Sequence, residues 1–74
     1  MPHVTIQHFP KNLTPEQRSR LVERVTAAVE EAFEVEERVI SIALAPVAPE
    51  DWDEQVYQPE IAARREELAK APGY

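Results

Sequence analysis

The chain has no cysteine and a single glycine, Gly73. Without thiols there is neither a disulfide framework nor a thiolate metal site, and nothing asks for an oxidising compartment. One glycine is too few for a loop of the kind that cradles phosphates. Long apolar runs are also missing. No stretch approaches the ~18 to 20 residues of a bilayer span, and no basic region precedes an apolar one at the N-terminus. Cations are in the minority: eight Lys plus Arg against fourteen Asp plus Glu give a net charge of -6. That balance opposes binding to nucleic-acid phosphates and to anionic lipid. The expectation is a cytoplasmic protein with neither nucleic acid nor membrane as a partner.

At 74 residues the chain is read as one domain, residues 1–74, whose isolated core is marginal because so short a chain leaves much of its surface wet. With no disulfide or metal to staple it, self-association is the natural remedy.

What is present is ordered. Over residues 3–9 Val4, Ile6 and His8 share one side of a strand, while His3, Thr5, Gln7 and Phe9 share the other. Thr14-Pro15-Glu16-Gln17 is a helix start, with Thr14 as N-cap, Pro15 at the first helical position and Gln17 completing a capping box. Leu21, Val22, Val25, Ala28, Val29, Ala32 and Phe33 then gather on one face, predicting a helix from Pro15 to Phe33. Its charges oppose the helix dipole, with Arg18, Arg20 and Arg24 toward the positive end and Glu30, Glu31 and Glu34 toward the negative end. Each costs ~0.3 to 1 kcal/mol if exposed and unpaired, so packing must hold the helix.

Residues 39–45 read as a second strand, with Ile40, Ile42 and Leu44 on one side, stopped by Pro46. A long helix between two strands implies parallel pairing through a right-handed crossover. Two strands alone leave both edges open, which a second subunit would cover. Beyond Pro46, Pro49 resembles a helix start with acids in its first turn, and Pro59 is expected to open a helix to about Lys70, with Glu60–Arg64 and Glu66–Lys70 as four-residue ion pairs. The expected fold class is α+β: a βαβ unit with parallel strands plus short C-terminal helices, completed by oligomerisation.

Chemistry has few places to reside. His3 and His8 point to opposite faces of the strand and cannot jointly bind a metal from it. Glu30, Glu31, Glu34, Glu36 and Glu37 read as a solvated helix end. No serine has an evident histidine and acid partner arrangement, and no metal site is indicated. Pro2 remains, with Lys11, Trp52 and one or more arginines. Once Met1 is removed, Pro2 presents a secondary amine, which serves as a proton shuttle if a pocket lowers its pKa toward the working pH. Proline at position 2 also arises simply from methionine processing. Lys11 is either a ligand-directed cation or a solvated turn residue, and Trp52 either a site wall or a core or interface anchor.

Met1-Pro2-His3 leading into a strand, Phe9-Pro10-Lys11 after it, the Thr14 helix start, Ile40-Ser41-Ile42-Ala43-Leu44, Pro49-Glu50-Asp51-Trp52, Glu60-Ile61-Ala62 and Lys70-Ala71-Pro72-Gly73-Tyr74 occur in order across nearly the whole chain. Together they resemble the tautomerase superfamily, and within it the 4-oxalocrotonate tautomerase family, nearest to its PptA branch. The resemblance implies a tautomerase (MIF-like) fold and a cofactor-independent keto-enol isomerase acting on a small 2-keto or enol acid. It makes Pro2 the general acid/base. It matches Lys11 to the family's substrate-binding basic residue, although the strictest alignment falls on Asn12, and it matches Trp52 to the aromatic pocket residue.

The substrate-binding arginine that the family places in the second strand corresponds here to Ser41, so the resemblance implies Lys11, Trp52, Arg38 and Ser41 as the substrate-binding residues. Arg38 lies close in sequence but outside the strand, and substitutes only if a neighbouring subunit brings it in. Lysine gives a point charge instead of a bidentate fork. One carboxylate with an apolar or aromatic tail therefore suits Lys11 and Trp52 better than a dicarboxylate. A homodimer stands ahead of a hexamer. The alternative reading is a weakly active or inactive homo-oligomeric binding or scaffold module of the same fold; dehalogenation or hydration by the same proline ranks behind both.

Overall fold

The alternating first segment forms strand β1, His3–His8, whose odd-numbered residues are exposed while Val4, Ile6 and His8 are half-buried. All residues, Met1–Tyr74, are described by a computed structural model. Helix α1 runs from Pro15 to Phe33, as the sequence predicts. The Thr14 hydroxyl accepts the Gln17 N–H at 3.1 Å, and the Gln17 side-chain oxygen accepts the Thr14 N–H at 2.9 Å. Two of the four orphan donors of the first turn are thereby satisfied. At the other end Glu34 sits at φ 54° and ψ 48°, a left-handed conformation that costs a residue with a Cβ ~1 to 2 kcal/mol and that glycine would adopt freely.

Strand β2 covers Ser41–Pro46, preceded by a 3₁₀ turn at Glu37–Val39. Val39 therefore belongs to the turn and Ile40 caps it, where both were expected in the strand, while the strand ends at Pro46 as expected. The Ser41 N–H donates to the Pro2 carbonyl at 3.2 Å and the Val47 N–H to the His8 carbonyl at 2.8 Å. Both bonds join residues with the same separation in sequence, so β1 and β2 run parallel.

After β2 comes one α-helical turn, α2, Pro49–Trp52, which widens into a π-helix over Asp53–Ala62. The Ala63 N–H closes it by donating to Gln58, five residues back, at 3.0 Å. Pro59 lies inside this stretch instead of opening a new helix, which corrects the expectation for residues 59–70. A proline has no N–H to donate and its ring crowds the carbonyl four residues earlier, so a regular α-helix is disfavoured here and the wider turn takes its place. Beyond Ala62 there is only a 3₁₀ turn, Arg65–Glu67. The Glu60–Arg64 pair forms at 3.2 Å, and Arg64 meets Glu67 at 2.8 Å; Glu66 and Lys70 share no helix and form no ion pair.

The chain divides into two units. The first comprises Met1–Ile6 and Lys11–Ala45, the second Gln7–Pro10 and Pro46–Tyr74. Only Val47 and Val56, at 9 % and 4 % exposure, are buried, and both belong to the second unit. Along α1, Leu21, Val22, Val25 and Val29 are half-buried, but Ala28, Ala32 and Phe33 of the same expected stripe are exposed, Phe33 by 66 %. No helix is long and apolar enough to cross a membrane.

Candidate active site

Pro2 falls on the half-buried side of the β1 alternation, in line with Val4, Ile6 and His8, while Met1 before it is 95 % exposed. Its ring fixes φ and its nitrogen has no hydrogen to give. The one backbone group that it offers for pairing is the carbonyl, and Ser41 takes it. Ser41 does more: its Oγ lies 2.6 Å from His3 Nδ1, and the other ring nitrogen, Nε2, lies 3.3 Å from Thr5 Oγ1. Sequence reading finds no serine and histidine partnership, because His3 and Ser41 meet only through strand pairing. No acid joins them, so the contact is not a hydrolytic triad.

Lys11 follows β1 in a tight turn closed by the Leu13 N–H on its carbonyl at 3.1 Å, and its side chain is exposed. Arg38 is held by Glu36 at 2.6 Å, with side chains 80 % and 74 % exposed. Its charge is thus already matched by a neighbour, a pairing worth little at such exposure. Pro2, Lys11, Arg38 and Ser41 belong to the first unit and Trp52 to the second.

In the second unit Trp52, half-buried, meets Phe9 edge to face, with ring centroids 5.1 Å apart and planes at 87°. This is the arrangement that aromatic quadrupoles favour. Gln7, His8, Phe9, Trp52 and Tyr74 line an open recess of about 660 Å³ whose walls are mainly apolar. The His8 Nδ1–H donates to the Phe9 carbonyl at 2.7 Å. A carbonyl can only accept, so this bond fixes the proton on Nδ1 and leaves Nε2 as an acceptor in the neutral ring. Tyr74 is tied to the unit by Tyr57, with ring centroids 5.7 Å apart, and by the Arg65 guanidinium, which donates to the Tyr57 hydroxyl at 3.2 Å and the Tyr74 carbonyl at 3.4 Å.

Sequence reading singles out Trp52 but not Phe9, His8 or Tyr74 as its companions. Phe9 and Tyr74 each stand in a motif of the family resemblance, Phe9-Pro10-Lys11 and Lys70-Ala71-Pro72-Gly73-Tyr74, but neither motif tells that they meet Trp52 at one recess, and the position of Tyr74 depends on the irregular path of the chain after Ala62. No cluster of three or more His, Asp or Glu side chains has a geometry that would hold a metal ion. The Glu67 carboxyl is held below its ordinary range by the Arg64 hydrogen bond and charge. Arg64 is raised in turn, chiefly by the Glu67 hydrogen bond and charge and then by the charge of Glu60. This exposed cluster is structural and contributes nothing to the recess.

A family model described as tautomerase enzyme matches residues 2–56, beginning on Pro2. Over all 74 residues the chain is 39 % identical to tautomerase PptA of Klebsiella pneumoniae, covering 97 % of that protein. The corresponding proteins of Pectobacterium atrosepticum and Escherichia coli are each 36 % identical, again over the whole chain and 97 % of the relative.

Proposed function

Since the chain belongs to the tautomerase family of enzymes, as the matched family model and full-length relatives show, we propose that Pro2, freed by removal of Met1, is the general acid/base of a keto-enol isomerisation. The neutral amine takes a proton from the enol hydroxyl or from the activated carbon and returns it to the other site, so that one proton leaves and one arrives per turnover. No cofactor enters the scheme. Lys11, of the same or a neighbouring chain, supplies positive charge to the substrate carboxylate or to the oxygen on which negative charge develops. Pro2 must be neutral at working pH, which burial and nearby cations favour.

The substrate in this reading is a small 2-keto or enol acid with one carboxylate and an apolar or aromatic tail. What supports the tail is the aromatic character of Trp52 and Phe9, offered to Pro2 by a partner subunit, because Pro2 and Phe9 flank the two ends of β1 and a small acid cannot span an extended strand of that length. Absence of a basic residue from β2, where Ser41 is engaged by His3, argues against a second carboxylate. Arg38 enters only if a neighbouring subunit frees it from Glu36. The working unit is a homodimer of one-domain chains in the cytoplasm. An α1 without a buried residue and an exposed Phe33 support association.

The test is Pro2→Ala in protein whose mass shows loss of Met1, assayed with phenylpyruvate as probe, alongside NMR titration of the amine. Rate should fall steeply and the amine should titrate below an ordinary terminal proline. A variant as fast as the parent would sink the proposal. The missing β2 arginine also supports the second reading, a homo-oligomeric binding module; that reading wins if the processed parent protein assembles but turns over no 2-keto acid.

A further inference from the structure

We propose that Ser41 is a positioning residue for Pro2, acting through a clasp with His3; the inference rests on Pro2 being the acid/base. The difficulty it solves is specific to this chemistry. Once Met1 is gone, Pro2 is the first residue of the chain, and chain ends fray unless tied down. Its nitrogen must stay unbonded to react, and a proline ring offers no side-chain polar atom. Only the Pro2 carbonyl and residue 3 remain as handles.

Ser41 grips both. Its backbone N–H holds the Pro2 carbonyl at 3.2 Å and its hydroxyl meets His3 Nδ1 at 2.6 Å. Thr5 steadies the far side of the imidazole at 3.3 Å. Hydroxyls both donate and accept, so Ser41 and Thr5 satisfy the ring whichever nitrogen carries the proton. Two attachments one residue apart restrict swinging of the strand end as well as its sliding, which one backbone bond cannot do. The same side chain stands where the family resemblance leads one to expect an arginine. The structure thus assigns that position to holding the base instead of holding a second carboxylate.

The experiment compares the processed parent with Ser41→Ala, Ser41→Thr and His3→Phe, reading kcat and KM on phenylpyruvate and exchange of the residue 41 amide by NMR. Ser41→Ala should lower kcat about tenfold with KM little changed, as expected when a reacting group is misplaced and not lost. The residue 41 amide should exchange about tenfold faster. His3→Phe should reproduce both effects, the double variant should be no worse than either single one, and threonine should restore most of the rate. If Ser41→Ala disturbs folding by circular dichroism, His3→Phe carries the same comparison. Unchanged kcat despite faster exchange overturns the inference, and so does unchanged exchange. A rise in KM alone overturns it too, by making Ser41 a substrate contact. Failure of the Pro2 reading has a different signature: Pro2→Ala then keeps the parent rate.

Discussion

The two units of this chain divide regularity from burial. The first, Met1–Ile6 with Lys11–Ala45, holds the 19-residue α1 with its complete capping box, yet none of its side chains is buried. The second, Gln7–Pro10 with Pro46–Tyr74, is irregular, with a π-helix through a proline, yet it contains Val47, Val56 and four of the five aromatic residues, Phe9, Trp52, Tyr57 and Tyr74. Good local hydrogen bonding and a good core are separate achievements. Hydrogen bonding alone contributes modestly to net stability, whereas apolar burial is the dominant favourable term. The first unit therefore has regular hydrogen bonding without a buried side chain, and the second a small core of a few side chains with little regularity.

That contrast can be broken in order of effect. The largest expected change is catalytic and lies in the first unit: Pro2→Ala should reduce kcat/KM by about 10² to 10⁴, the range of general acid–base contributions, with little shift in melting temperature. Next comes the second unit's core, where Val56→Ala should cost about 2 kcal/mol in denaturant unfolding through lost burial and a residual cavity. An effect near zero would mean that burial in this unit is not what holds it. Thr14→Ala should cost about 1 kcal/mol by removing the N-cap of α1. If the first unit is held by a second copy, melting temperature should also rise with protein concentration; an unchanged value across a wide dilution range would remove the support for the homodimer.

The smallest effect is electrostatic. Arg64 holds the Glu67 carboxyl below its ordinary range, so this pair's stabilisation is complete above the usual glutamate pKa of about 4.3 and is lost as pH falls through the lower folded value. Glu67→Gln should flatten only that acidic limb of a melting-temperature profile, and slightly, because the pair is exposed.

Much of the first unit is legible in the sequence because its signals are local. Thr14, Pro15 and Gln17 specify where α1 begins, the apolar spacing carries it to Phe33, and alternation identifies β1. Parallel pairing followed from the long helix between two strands. The second unit resisted for a physical reason. Pro59 carries the same intrinsic constraint at a helix start as in a widened turn, and only the path of the chain decides between them. The companions of Trp52 were equally hidden. Phe9 and Tyr74 stand far from it in sequence, and edge-to-face packing leaves no periodic trace. Of the candidate site, Pro2, Lys11, Arg38, Ser41 and Trp52 could be named, but the hydrogen bonds from Ser41 to both Pro2 and His3 arise from register, which no single segment encodes.

That register has a bearing on how preparations of the protein should be judged. Because side chains alternate across a strand, displacing β1 by one position against β2 would turn Pro2 to the opposite face together with Val4, Ile6 and His8. On the proposed role of Pro2, mispaired molecules would then be silent and not merely slow. With Pro2 as the acid/base proposed above, heterogeneity would show itself as a deficit in titratable active centres at undiminished turnover per competent centre, so specific activity would double as an assay of strand alignment.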